Sequence, residues 1–116
     1  MMTEKKININ RNTLLYRGNR IIRAESDIEK FLVFSDDIEL IIILVDATKL
    51  KTDRNIFCYS LDAKLKWQIP EPDKLHNKNY YTSIYLSNGN LYAYNVNGVE
   101  VTIDKQTGNI LSKQLI

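Results

Sequence analysis

Hydrophobic and polar residues alternate with a period near two along most of this chain, and short polar turns interrupt the alternation. Val99-Glu100-Val101-Thr102-Ile103 shows it most clearly. Its apolar side chains fall on one face and its polar ones on the other, the pattern of a half-buried strand. Strands are predicted over 80–86, 90–96, 99–103 and 109–115, joined by turns at Ser87 to Gly89, Asn97-Gly98 and Asp104 to Gly108. Asn-Gly at such a turn is a strong hairpin signal, because a type I′ turn needs positive φ at both central residues. The last third of the chain therefore reads as a four-stranded antiparallel meander.

The middle of the chain has the same grammar. Residues 38–45 form a nearly unbroken apolar run flanked by acids. At that length the run predicts a central strand buried on both faces rather than a helix. A polar loop over 46–53 leads to strands at 54–61 and 64–69, with a tight turn at Asp62-Ala63. In the second of these, Leu65, Trp67 and Ile69 are expected on one face, and Leu40 to Val45 and Trp67 in the core. Pro70 and Pro72 end it, and 70–79 is expected to be an exposed irregular loop. Toward the N-terminus, 6–9, 13–17 and 20–23 predict short strands with a turn at Gly18-Asn19. Ser26-Asp27-Ile28-Glu29 has the spacing of a helix capping box. The run Phe31-Leu32-Val33-Phe34 leads on into another β stretch, so a strand is preferred there.

Composition agrees with this picture. The 116 residues are 44% hydrophobic and 26% charged, as expected of one folded domain spanning 1–116. Fifteen Ile and seven Tyr supply branched and aromatic side chains suited to a pleated surface. The fold class expected is all-β: antiparallel meanders, two or three sheets resembling propeller blades, packed as an open sandwich or half-barrel. Cys58 stands alone, so no disulfide can form within the chain, and its apolar surroundings mark it as a small buried hydrophobe. No export signal and no apolar run of membrane-spanning length is evident, which points to the cytoplasm.

Asn12-Thr13-Leu14-Leu15-Tyr16, Asn55-Ile56-Phe57-Cys58-Tyr59 and Asn90-Leu91-Tyr92-Ala93-Tyr94 repeat one pattern, each followed by a turn and a second strand. Residues 54–116 resemble the repeat of the PQQ-type β-propellers, which runs strand, Asp-x-x-Thr-Gly turn, strand, Trp. Asp104-Lys105-Gln106-Thr107-Gly108 carries the turn, with Ser112 where the Trp would stand. Asp62-Ala63 and Trp67 carry the complementary part without the Thr-Gly. The resemblance implies hairpin architecture and brings no cofactor-binding residue with it. A closed propeller needs at least about four blades of about 40 residues, more than this chain can supply.

Net charge is only +2, too small to imply a nucleic-acid or membrane partner. Its distribution is uneven. Residues 1–23 hold six basic side chains and one acid, whereas 24–50 hold seven acids and two lysines. No nucleophile elbow, phosphate loop, dinucleotide fingerprint or zinc-protease motif is present. His76, the single histidine, falls in the loop after Pro72. Binding is therefore expected rather than catalysis, with no cofactor and no metal. Candidate partner-binding residues are the acids Asp36, Asp37, Glu39, Glu71 and Asp73, near predicted turns, and Tyr81 and Tyr85, which simple alternation puts on one face. Aromatic side chains dominate binding hot spots, and acidic loops suit a basic target. The expected function is a non-enzymatic protein-binding module, similar in format to a small bacterial immunity protein that occludes the active site of a toxin or nuclease domain. The alternatives are a scaffold module that oligomerises through sheet edges and a small-ligand binder using an aromatic face around Tyr92 and Trp67.

Overall fold

The computed structural model describes residues 6–35, 39–71 and 78–115. Among these residues, eleven strands form three antiparallel sheets, each a simple meander. The first holds β1 (Ile7–Asn10), β2 (Thr13–Tyr16) and β3 (Asn19–Arg23). The second holds β4 (Ile28–Ser35), β5 (Glu39–Val45), β6 (Ile56–Ser60) and β7 (Leu65–Gln68). The third holds β8 (Tyr81–Ser87), β9 (Asn90–Asn95), β10 (Val99–Ile103) and β11 (Ile110–Leu115). The expected all-β class of stacked meanders is what the chain adopts.

The second sheet is the middle layer. Strand β5 is buried at every apolar position, and its alternation divides it between two cores. Leu40, Ile42 and Leu44 join Ile56, Cys58, Trp67 and Ile69 against Tyr81, Ile84, Leu91, Ala93, Val101 and Ile103 of the third sheet. Ile41, Ile43 and Val45 face the other way, onto Ile7, Leu14 and Ile22 of the first sheet. Each fully buried aliphatic side chain contributes about 1.5–3 kcal/mol of transfer free energy.

Two polar side chains fix the third sheet on the second. Asn55 is fully buried. Its Nδ2 donates to the Val45 carbonyl at 3.0 Å and the Tyr81 carbonyl at 2.8 Å, and its Oδ1 accepts from the Tyr81 amide at 2.8 Å. The side chain thus ties the exit of β5 to the start of β8. Trp67 Nε1 donates to the Lys105 carbonyl at 2.7 Å, so the indole spans from β7 to the β10–β11 turn. Gly108 lies in that turn with φ +80°, and a Cβ there would stand 2.6 Å from Trp67 Cε3. The Trp and the Thr-Gly turn, which lie far apart in sequence, therefore meet in space.

Some expectations need correction. The three Asn-initiated segments begin β2, β6 and β9, which are second, third and second in their sheets. The structural counterparts are instead β6–β7 and β10–β11, the last hairpin of each four-stranded sheet. Leu65 does not share a face with Trp67. A bulge between the Cys58 and Tyr59 pairings sets Leu65 opposite Tyr59, and Leu65 is 53% exposed. Residues 28–35 are strand, as preferred. Ser26 opens no helix; its Oγ donates to the Asp46 carbonyl at 2.5 Å. The loop after β5 holds a single helical turn, α1 (Ala47–Leu50), because Asp46 caps it by accepting from the Thr48 amide at 2.9 Å. Cys58 is fully buried, and burial pushes its thiol up to about 12, an inert group at neutral pH.

Two substitutions test the docking of the sheets. Gly108→Ala should lose about 3 kcal/mol in urea unfolding, because the methyl collides with a ring held on its other side by the core. Gly89→Ala, at φ +78° with nothing within 4 Å, should lose only about 1 kcal/mol for its left-handed backbone. Equal losses would show that Gly108 is needed only for its φ. Asn55→Ala should lose about 3 kcal/mol, since it strands a buried amide and two carbonyls at once.

Candidate functional site

The outward face of the third sheet concentrates the chain's aromatic chemistry. Register sets Tyr85 opposite Tyr92, Tyr94 opposite Glu100, and Glu100 opposite Gln114. Ile84, Leu91, Ala93, Val101 and Ile103 fill the inward positions, so Tyr85, Tyr92, Tyr94 and Glu100 point away from the core. Tyr85 stacks on Tyr92 with ring centroids 5.0 Å apart, and on Tyr94 at 5.6 Å. The three rings form one cross-strand ladder, each half-buried. Thr102 and Ser112 extend the face as a hydroxyl pair 3.0 Å apart.

Glu100 closes the ladder. Its Oε2 accepts from the Tyr85 hydroxyl at 2.6 Å, and the Tyr94 hydroxyl lies 3.4 Å from that of Tyr85. Phenols donating to its charged form hold the Glu100 carboxyl below its ordinary 4.5. The same bond, then that to Tyr94 and some desolvation, raises Tyr85 well above its ordinary 10.0. The signs follow. Stabilisation from Glu100 is present above 4.5 and is lost as pH falls through the depressed folded value. Stabilisation from Tyr85 is present below 10.0 and is lost as pH rises through the raised folded value. The network is thus intact across the neutral range.

Of the acids expected to bind a partner, Glu39 and Glu71 lie among the described residues. Glu39 opens β5 opposite Ser35 and is half-buried. Glu71 is exposed and lines a cleft of about 430 Å³ with Lys51, Asp53, Lys78 and Tyr80, beside α1. Asp36, Asp37 and Asp73 lie outside the described residues, as does His76. Tyr81 is a correction. It is 3% exposed and packed in the core, where burial raises its hydroxyl to about 12. A bulge between the Tyr81 and Ser83 pairings reverses the alternation, so Tyr81 and Tyr85 point to opposite faces. Trp67 and Tyr92 are likewise on opposite sides of the third sheet, which removes the aromatic face expected around the two. Glu100 was not singled out from the sequence. It reads there as one polar residue in an alternating strand, and only the register places it beneath two phenols.

Among the described residues no group of three or more His, Cys, Asp and Glu is arranged to hold a metal ion. No helix among them is long and apolar enough to cross a membrane.

Fold and face together describe an all-β protein of three stacked meanders with a tyrosine-lined outer sheet. The chain belongs to the family described as "Domain of unknown function (DUF7957)", which matches residues 4–115. Among solved structures it is similar to the computationally designed Ika8 protein at 12% identity, over 93% of this chain and 45% of that one, with a TM-score of 0.37. The chain therefore spans less than half the length of that protein. No curated protein matches it.

The ionisation of Tyr85 can be checked directly. In an alkaline titration followed by tyrosinate absorbance, Glu100→Gln should move one late-ionising tyrosine back toward 10, and Tyr85→Phe should delete that component. A titration curve unchanged by both variants would show that the bond does not exist in solution.

Proposed function

We propose that this protein is a non-enzymatic protein-binding module of the immunity type, which blocks a basic toxin or nuclease domain by covering its active site. One observation carries the reading. A rigid sheet holds three stacked, half-exposed tyrosines and a charged carboxylate on a face that no other part of the described chain covers. Stacked tyrosines bring large contact area with little rotamer entropy left to lose, and such residues anchor protein interfaces. Glu71 at the rim of its cleft, and the acids near the β4–β5 and β7–β8 connections, add the negative charge that would steer a basic partner. A cytoplasmic site of action belongs to the same proposal.

A second reading is a scaffold module that assembles with its own copies. One feature favours it: β11 is an edge strand on which Leu111 and Leu115 are 63% and 77% exposed, and bare edges recruit further strands.

Co-expression with the product of the adjacent gene, followed by size exclusion with light scattering, separates the two. The leading reading expects a one-to-one complex and suppression of that product's toxicity. Tyr85→Ala with Tyr92→Ala should weaken the complex at least about ten-fold, equivalent to about 1.4 kcal/mol. Glu71→Lys should slow association and flatten its salt dependence. A stable homo-oligomer that ignores the neighbouring product would overturn the leading reading in favour of the scaffold.

A further inference from the structure

The carboxylate of Glu100 is placed in a way that a purely structural residue does not require. It carries full charge at neutral pH. Of the ion pairs among the described residues, Lys49 with Asp27 and Lys64 with Asp62, neither includes it. Its cross-strand neighbours are Tyr94 and Gln114, and Ser83, Tyr85, Tyr92, Thr102 and Ser112 share its face. None of these is a carboxylate, Lys or Arg, so among them Glu100 supplies the one negative charge, framed by aromatic rings. Tyr85 occupies one of its oxygens. A carboxylate offers about four lone-pair sites, so acceptor capacity remains after the phenols are satisfied.

We propose that this face is a receptor for a guanidinium group, with Glu100 accepting its N–H donors and the tyrosine ladder packing beside its plane. The inference rests on the reading of the face as a protein-binding surface, and it names the partner's anchoring side chain as arginine. Two features select arginine over lysine. A guanidinium is planar and weakly hydrated, so it lies against aromatic rings, and its fork of donors can engage carboxylate and hydroxyl oxygens together. An ammonium is compact and strongly hydrated and would leave the rings uncovered. The phenol bonds also pre-position the carboxylate, so little side-chain entropy remains to be lost when the cation arrives.

The test uses the full chain and a small probe, so it does not depend on knowing the partner. Methylguanidinium chloride is titrated into ¹⁵N-labelled protein, with methylammonium chloride and sodium chloride as controls at matched ionic strength. The expected result is saturable shifts at the amides of Tyr92, Tyr94, Glu100 and Thr102 with methylguanidinium, and weaker effects with methylammonium. Glu100→Gln should lower the affinity at least about ten-fold, since it removes the charge that strengthens the hydrogen bonds accepted from the cation. Gln114→Lys sets an ammonium opposite the carboxylate and should do the same while leaving Glu100 in place. Core amides unchanged in both variants would show that the fold is retained. Shifts that do not saturate, shifts equal for the two cations, or affinity unchanged in both variants would overturn the inference. Guanidinium binding without a one-to-one protein complex would leave it standing and remove only the toxin-blocking reading. A complex indifferent to Glu100→Gln would remove the arginine anchor and keep that reading.

Discussion

The structure depends on β5 being buried from both sides. A strand with apolar residues at successive positions has no face it can leave in water. Leu40, Ile42 and Leu44 need one cover, and Ile41, Ile43 and Val45 need another. The first and third sheets supply the two covers, so the protein has three layers where two would suit a chain of alternating strands alone. This arrangement is costly in chain length, since most of the polypeptide on either side of the second sheet is used to hide one strand. It also sets which surfaces the described residues leave uncovered: the outer face of the first sheet, the outer face of the third, and the sheet edges.

Burial brings the sheets together without specifying how they sit. That task falls to polar groups. Asn55 satisfies three backbone atoms from two sheets in a place no water reaches, and its geometry tolerates little sliding of β8 over β5. Trp67 adds a second fixed point through Lys105 and the space over Gly108. With the inner face of the third sheet pinned in this way, the spacing of the outer tyrosines is inherited from the strand register alone. The ladder is therefore rigid because of what lies beneath it. A rigid aromatic face with a buried support is the arrangement that binding surfaces need.

Much of this was legible in the amino-acid sequence. Period-two alternation located β10, the unbroken run located β5, and Asn88-Gly89 marked a turn whose two residues do adopt positive φ. Where the reading failed, the cause was mostly a bulge. One extra residue near Thr82 reverses the facing of Tyr81, and another near Lys66 reverses that of Leu65. A bulge leaves almost no trace in a pattern of polar and apolar letters, because it changes parity without changing composition. The helical turn α1 was missed since four residues cannot show a 3.6-residue period, and its Asp46 cap was the one available signal. Glu100 was invisible for a different reason. Its importance comes from Tyr94 and Tyr85 on two other strands, and pairing between strands is a property of the fold rather than of any local stretch.

The indole of Trp67 has a consequence for observing this molecule. It is the chain's single tryptophan, and it sits at the seam between two layers with its N–H bound across that seam. Its emission wavelength and intensity therefore follow the separation of the second and third sheets, not the integrity of either one. Hairpins that formed early and stayed apart would look unfolded to this fluorophore while registering as β-structure in the far ultraviolet. The protein carries its own sensor for the step at which independent ribbons become a stack.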